Sequence, residues 1–140
     1  MKKIKFRGKS IAGDFIKSHW VVGLGILIEW HRTRIHYSDY VEISVIPETV
    51  GQYTGLKDKN GVEIFEGDII KLSYLSPLDN NEKVSLYKVE EMQNGYYAIK
   101  EVTDKQRGDS GLFLHFKRCE VVGNIYDNPE LLKGWQPNDR

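Results

Sequence analysis

The feature that most limits the fold of this chain is a succession of short segments in which apolar and polar residues alternate. In segments 41–45 and 69–75 the apolar side chains recur at every second position, which is typical of one face of a half-buried strand. Segments 84–92, 96–102 and 121–126 are equally short and rich in β-branched or aromatic residues. Segment 112–116 is a compact apolar run that is expected to form a buried strand. Turn-forming residues separate these segments. The pattern predicts a mainly β fold with a small SH3-like or barrel-like core.

Two local motifs predict how strands are joined and how the fold ends. Asn94-Gly95 separates segments 84–92 and 96–102, and Asn-Gly adopts positive φ at little cost, so these segments are expected to form a hairpin. Near the C-terminus, Asn128 suits a helix cap and Pro129 suits the first helical position. We therefore expect a short helical turn after the last strand.

Turn-forming residues are concentrated in segment 47–61, which predicts a joint between two β parts. The N-terminal β part covers residues 1–46, and the barrel-like β part covers residues 62–132. Together they are expected to form a single domain over residues 1–132. Residues 133–140 are mostly polar and include Gly134 and Pro137, and they are predicted to form a tail.

Composition excludes several classes of protein. The chain has 140 residues with 20 Lys+Arg and 20 Asp+Glu, so its formal net charge of +0 excludes a binder whose whole surface is basic. Cys119 is its one cysteine, which excludes an intramolecular disulfide framework and a zinc site built from several thiolates. The longest apolar run, over residues 21–28, is shorter than the ~20 residues that span a bilayer. We expect no membrane partner.

Longer stretches of the chain resemble the YopX family. The most specific are Ile46-Pro-Glu-Thr-Val-Gly-Gln-Tyr-Thr-Gly-Leu-Lys-Asp-Lys-Asn-Gly61 and the following Glu63-Ile-Phe-Glu-Gly-Asp-Ile-Ile70. The closing Val121-Val-Gly-Asn-Ile-Tyr-Asp-Asn-Pro-Glu-Leu-Leu132 is also similar, as is the opening Ile4–Lys9 with Trp20–Gly23 behind it. The resemblance extends from about Ile4 to Leu132.

The resemblance implies a small, largely β protein encoded by a bacteriophage or prophage. It implies no activity, because none is assigned to the family as a whole, and a fold does not by itself indicate chemistry. We therefore expect a non-catalytic accessory protein, not an enzyme, in the cytoplasm of a bacterial host. The expected partner is a second copy of the chain or a host or phage protein. No catalytic residue, cofactor or metal ligand is predicted.

A basic N-terminal strand supports an alternative function in nucleic-acid binding, which is not the favoured one. If Ile4 and Phe6 face a core, the cations at alternate positions fall on the opposite face of the strand. They form a positive stripe of Lys3, Lys5, Arg7 and Lys9. The competing interpretation is an edge strand that lysines protect from pairing with other chains.

The segment around Tyr53 allows two interpretations. Asp58 can accept hydrogen bonds from nearby backbone groups and Gly61 can take positive φ, so the favoured interpretation is a self-capped loop. The functional interpretation is an exposed recognition loop in which Tyr53 offers stacking and Lys57 and Lys59 offer charge.

A local cluster of acids supports a second alternative, a metal-dependent hydrolase. Glu63, Glu66 and Asp68 lie close together in sequence, and such a site needs carboxylates that converge on one ion. Glu66-Gly67-Asp68 is, however, typical of a turn that opens a strand, where Asp68 binds backbone N–H groups. His115 and Cys119 are not expected to form a nucleophile pair, because a strand would hold them ~13 Å apart. Cys119 is expected to be a small buried or half-buried residue.

Overall fold

The computed structural model describes residues 4–11, 20–29, 32–38, 41–91, 96–102 and 110–135. This part of the chain consists of short antiparallel strands joined by turns, so the prediction of a mainly β fold is confirmed. The narrower description as an SH3-like barrel stays a prediction, as does the single domain with its two parts and joint. Within the same ranges no helix is long and apolar enough to cross a bilayer.

The structure divides into two units, Met1–Gly55 and Leu56–Arg140. In the first unit, the strands are β1 (Phe6–Lys9), β2 (Trp20–Gly23), β3 (Gly25–Glu29), β4 (Arg32–Ser38) and β5 (Val41–Val45). A 3-10 turn at Pro47–Thr49 follows, and then β6 (Gly51–Lys57), which crosses the boundary between the units. β3, β4 and β5 form one antiparallel sheet, and β1 pairs with β2 on one side and with the beginning of β6 on the other.

The position of β1 corrects two expectations. Because β1 has a hydrogen-bonded neighbour on each side, the interpretation of the basic N-terminal segment as an edge strand is wrong. Ile4 is 59% exposed and does not face a core. On the same side of the strand Phe6 is half-buried and Gly8 is buried, and a Cβ added at Gly8 would lie 3.1 Å from atoms of Ile35 and Val45. These two side chains and Val21 form the buried core of the first unit.

The second unit is built on a five-stranded antiparallel sheet. The strands of this unit are β7 (Glu63–Phe65), β8 (Asp68–Leu75), β9 (Glu82–Glu91), β10 (Tyr97–Glu101), β11 (Ser110–Gly111) and β12 (Glu120–Asn124). The last five form the sheet, in the order β11-β10-β9-β8-β12, whereas β7 pairs with β6. One face of this sheet supplies much of the core, because alternate residues of β9 are buried, whereas β8 and β10 each begin with three consecutive buried residues. The core contains Ile64, Ile70, Leu72, Tyr87, Val89, Tyr97, Ile99, Leu112 and Cys119.

The predicted hairpin between β9 and β10 is confirmed, since Tyr97 pairs with Glu91 and Glu101 with Tyr87. Its Asn94-Gly95 turn lies outside the described residues. The predicted C-terminal helical turn is present as a 3-10 turn over Pro129–Trp135.

Two predictions of local structure are wrong. Segment 112–116 was expected to be a buried strand, but Leu112–Leu114 is a 3-10 turn closed by the bond from the His115 N–H to the Leu112 carbonyl. A continuous apolar run does not distinguish a strand from a helical turn, because it has no periodicity. Segment 52–61 was expected to be a loop, yet β6 occupies most of it and only residues 58–61 form a turn.

Candidate binding face and turn carboxylates

One face of the sheet formed by β2, β1 and β6 combines cationic and aromatic side chains. Alternate residues of a strand share a face, and the pairing of β1 with β2 and β6 determines which neighbours lie beside them. Just before β1, the Lys5 carbonyl accepts a hydrogen bond from the Tyr53 N–H of β6 at 2.8 Å. We call this surface the basic–aromatic face, and its members are Lys5, Arg7, Lys9, Trp20, Val22 and Tyr53.

Cation–π contacts position the cations of the basic–aromatic face. The guanidinium carbon of Arg7 lies 4.6 Å from the centroid of the Trp20 ring, and the Lys5 Nζ lies 5.0 Å from that of Tyr53. Tyr53 is only 4% exposed, so the expectation that its ring is available for stacking in an exposed loop is wrong. Val22, at 41% exposure, adds an apolar side chain to the face. This face therefore combines cations that are held by aromatic rings with an exposed apolar side chain.

The structure brings together only part of the predicted partner-binding set. Lys5, Arg7, Lys9 and Tyr53 share the basic–aromatic face, whereas Lys3 lies outside the described residues. Lys57 and Lys59 belong to the second unit.

In the second unit, the Lys59 Nζ lies 3.8 Å from Oε2 of Glu120, and the Lys71 Nζ lies 3.4 Å from the same atom. The sequence does not reveal this cluster, because the pairing of β12 with β8 places Glu120 beside Lys71, and the bond from the Lys59 N–H to the Cys119 carbonyl, at 3.0 Å, places Lys59 nearby.

Asp58 is a buried carboxylate that joins two distant parts of the second unit. Its Oδ1 accepts hydrogen bonds from the N–H groups of Asn60 at 2.8 Å and Val62 at 2.9 Å. Its Oδ2 accepts from the N–H of Val121 at 2.8 Å. The predicted local role is confirmed, together with the positive φ of Gly61, 80°. The bond to Val121, 63 positions away, has no signal in the sequence.

Of the predicted acid cluster Glu63, Glu66 and Asp68, the structure gives Asp68 a role in holding a turn. Asp68 is 1% exposed, and its Oδ2 accepts from the Phe65 N–H at 2.8 Å across the Glu66-Gly67 turn. The prediction that Asp68 binds a backbone N–H of this turn is confirmed. Glu63 and Glu66 are half-buried. Across the described ranges, no group of three or more His, Cys, Asp or Glu side chains is placed to hold a metal ion.

Cys119 is fully buried, as expected, and its S–H donates to the Phe116 carbonyl at 3.4 Å. Burial raises the pKa of this thiol to about 11, and the negative charges of Asp58 and Asp68 contribute in the same direction. The expectation that a strand holds His115 and Cys119 ~13 Å apart is wrong. The Cys119 N–H donates to the His115 carbonyl at 3.1 Å, so the two residues lie within one helical turn. The His115 ring instead contacts Ser110 and Arg118.

We expect Cys119 of the folded protein to react with iodoacetamide at pH 8 at least ~100-fold more slowly than Cys119 of the urea-unfolded protein. A pKa two units higher reduces the thiolate fraction by about that factor, and burial limits access further. Since the pKa is higher in the folded state, the associated stability is complete below pH 9 and decreases as the pH rises towards 11. Mass spectrometry of timed labelling measures the rates. Rapid, complete labelling of the folded protein would contradict the buried position of Cys119.

A comparison with protein-family models agrees with the motif resemblance. The family model described as YopX protein matches residues 26–133. No curated protein matches the chain. Among solved structures, protein EF1440 from Enterococcus faecalis is 24% identical, and the alignment covers 92% of this chain and 97% of that one with a TM-score of 0.38. Because the family model matches most of its length, the chain belongs to the YopX family.

Proposed function

We propose that this YopX-family chain is a phage- or prophage-encoded accessory protein that acts without catalysis, by binding a partner through its β scaffold. The proposed origin follows from the family. The proposed mode of action draws support from the way the scaffold uses its reactive side chains. Asp58 and Asp68 hold turns through backbone N–H groups, and Cys119 is buried with a raised pKa.

The observation that carries the proposal is the basic–aromatic face. Its cations stand at alternate positions of a strand that is paired on both sides, so the backbone that supports them is fixed. Arg7 and Lys5 are further positioned by the rings of Trp20 and Tyr53. A surface organised before binding loses less conformational entropy when a partner docks. An anionic segment of a host or phage protein would complement this face.

The same face favours nucleic acid as a second candidate partner. Lys5, Arg7 and Lys9 occupy ~13 Å of strand, which allows two or three contacts with successive phosphates. A partner held in this way should dissociate steeply as salt increases, because each phosphate contact releases counterions.

The proposal is tested by capture of partners from induced host cells on the tagged protein, with protein and nucleic acid both measured. We expect Lys5→Gln with Lys9→Gln to reduce the captured partner ~10-fold or more, since the face loses two of its cations. The matched control, Lys71→Gln with Lys100→Gln, removes the same charge from the second unit and should leave capture unchanged.

A nuclease arm and a salt series separate the two candidates. Capture that survives nuclease supports the protein partner, whereas capture that disappears with nuclease and falls steeply with salt supports nucleic acid. Equal capture by both double variants and the parent protein would refute a binding role for the basic–aromatic face. A chain that retains no macromolecule at low salt would refute the proposed function.

A further inference from the structure

The tip of the β8–β9 hairpin is exposed, apolar and acidic. Leu75, Leu78 and Val84 are 65%, 95% and 53% exposed. Leu75 and Val84 lie on the same face, because Leu75 pairs with Glu82 and Val84 with Ser73. Segment 75–84 contains two acids and one lysine, so its formal charge is −1. We call this surface the acidic hairpin tip, formed by Leu75, Leu78, Asp79, Glu82 and Val84.

A second exposed apolar surface of the same unit is basic. Phe113 and Leu114 are 74% and 71% exposed on the 3-10 turn, while Leu112 before them and Cys119 after them are fully buried and anchor the segment. Lys117 and Arg118 are exposed in the same segment. Segment 110–119 contains no acid, so its formal charge is +2 with histidine neutral. We call this surface the basic turn, formed by Phe113, Leu114, Lys117 and Arg118.

The two surfaces leave each other uncovered within one molecule, since Leu78 at the hairpin tip and Phe113 on the basic turn are 95% and 74% exposed. The basic turn begins after Gly111, which pairs with Ala98, and ends before Glu120, which pairs with Lys71 of β8. Both surfaces are apolar, and their formal charges are opposite in sign.

We propose that the acidic hairpin tip of one molecule docks on the basic turn of a second copy. Apolar side chains would form the centre of this contact, and Glu82 would approach Lys117 and Arg118 at its rim. Because the contact joins two different surfaces, it is head-to-tail and builds a ring or an open chain of copies. The inference is independent of the proposed function, since none of its residues belongs to the basic–aromatic face.

Sedimentation velocity of the full chain from ~1 to ~300 μM tests the contact, a range that includes weak interfaces. We expect the sedimentation coefficient to increase with concentration, and Leu78→Ser to weaken association ~10-fold or more by removing an apolar anchor. Leu24→Ser is the matched control, because Leu24 is 73% exposed but lies in the first unit. It should leave association unchanged. Both side chains are exposed, so neither variant should unfold the protein.

Charge reversal tests the pairing of the two surfaces directly. Glu82→Lys makes the hairpin tip basic, and the double change Lys117→Glu with Arg118→Glu makes the turn acidic. Each variant alone should associate ~10-fold or more weakly, because like charges then face each other. An equimolar mixture should recover association, since the acidic turn of one variant meets the basic tip of the other.

Four outcomes would overturn the proposal. The parent chain could remain monomeric at every concentration. Association could be insensitive to Leu78→Ser and to both charge reversals, which would place the contact on another surface. The mixture could fail to recover association, which would exclude the head-to-tail pairing. The chain could stay monomeric while these same variants lose capture of a different protein, which would make that protein the occupant.

Discussion

Asp58→Ala is expected to lower the free energy of unfolding by about 2–4 kcal/mol. The change leaves three backbone N–H groups without the carboxylate, those of Asn60, Val62 and Val121. Asn60 and Val62 are exposed, so water can replace the lost hydrogen bonds of their N–H groups in part. Val121 is half-buried, so water replaces its lost hydrogen bond less completely. Such a loss is a large fraction of the ~5–15 kcal/mol that stabilises a typical domain. Urea denaturation followed by circular dichroism measures the change.

Two further variants separate the distant bond of Asp58 from its local ones. Asp58→Asn keeps one oxygen to accept the N–H groups of the local turn, but it replaces the oxygen that accepts from the Val121 N–H with an amide donor. This change should cost about 1–2 kcal/mol of stability. Asp79→Ala is the matched control, because Asp79 makes the same kind of turn bond, to the Asn81 N–H at 3.0 Å, at an exposed position. It should cost clearly less than Asp58→Ala, because water can replace the lost bond at an exposed position. Equal losses for Asp58→Ala and Asp79→Ala would mean that burial and the bond to Val121 contribute nothing.

Local chemistry in the sequence predicts the strands and several turns correctly. The alternation of segments 69–75 and 41–45 predicts β8 and β5, since a period of two has only one common structural explanation. Asp68 is predicted as a turn residue because its short side chain reaches backbone N–H groups a few positions away. These inferences succeed because the cause and the effect lie within the same few residues.

Predictions that depend on distant pairing are less successful. The sequence shows that Lys5 and Arg7 share one face of a strand, but not that Trp20 and Tyr53 lie beneath them, because strand neighbours are set by register. The same limit explains the edge-strand interpretation of β1, whose two partners are residues 20–23 and 51–52. Segment 112–116 shows the other limit, in which an apolar run without periodicity indicates burial but not conformation.

The motif residues that identify the family are therefore explained mainly by architecture. Asp58 lies in the central motif and Val121 opens the closing motif, and the hydrogen bond between them joins two segments that look separate in the sequence. Gly67 and Tyr126 form a second such link, because the ring of Tyr126 packs where a side chain at position 67 would lie. Substitution at Gly67 tests whether this second link has a measurable effect on stability.

Gly67→Ala is expected to lower the free energy of unfolding by about 2–4 kcal/mol. Gly67 has a φ of 92°, which side-chain-bearing residues rarely adopt, and an added Cβ would lie 3.2 Å from Cε2 of Tyr126. The backbone cannot rotate to relieve this strain without losing hydrogen bonds. The Gly67 N–H donates to the Val89 carbonyl, and the Gly67 carbonyl accepts from the Ile125 N–H, each at 2.9 Å.

Two other glycines separate the contributions of conformation and contact. Gly61 has a φ of 80° but nothing within 4 Å of an added Cβ, so Gly61→Ala should cost only the strain, about 1 kcal/mol. Gly111 has neither a positive φ nor a neighbour within 4 Å, so Gly111→Ala should change stability by less than ~0.5 kcal/mol. Thermal and urea unfolding of the three variants should therefore rank Gly67 above Gly61 and Gly61 above Gly111. If Gly67→Ala costs no more than Gly61→Ala, the packing of Tyr126 against position 67 does not contribute to stability, and the link between the two motifs rests on Asp58 alone.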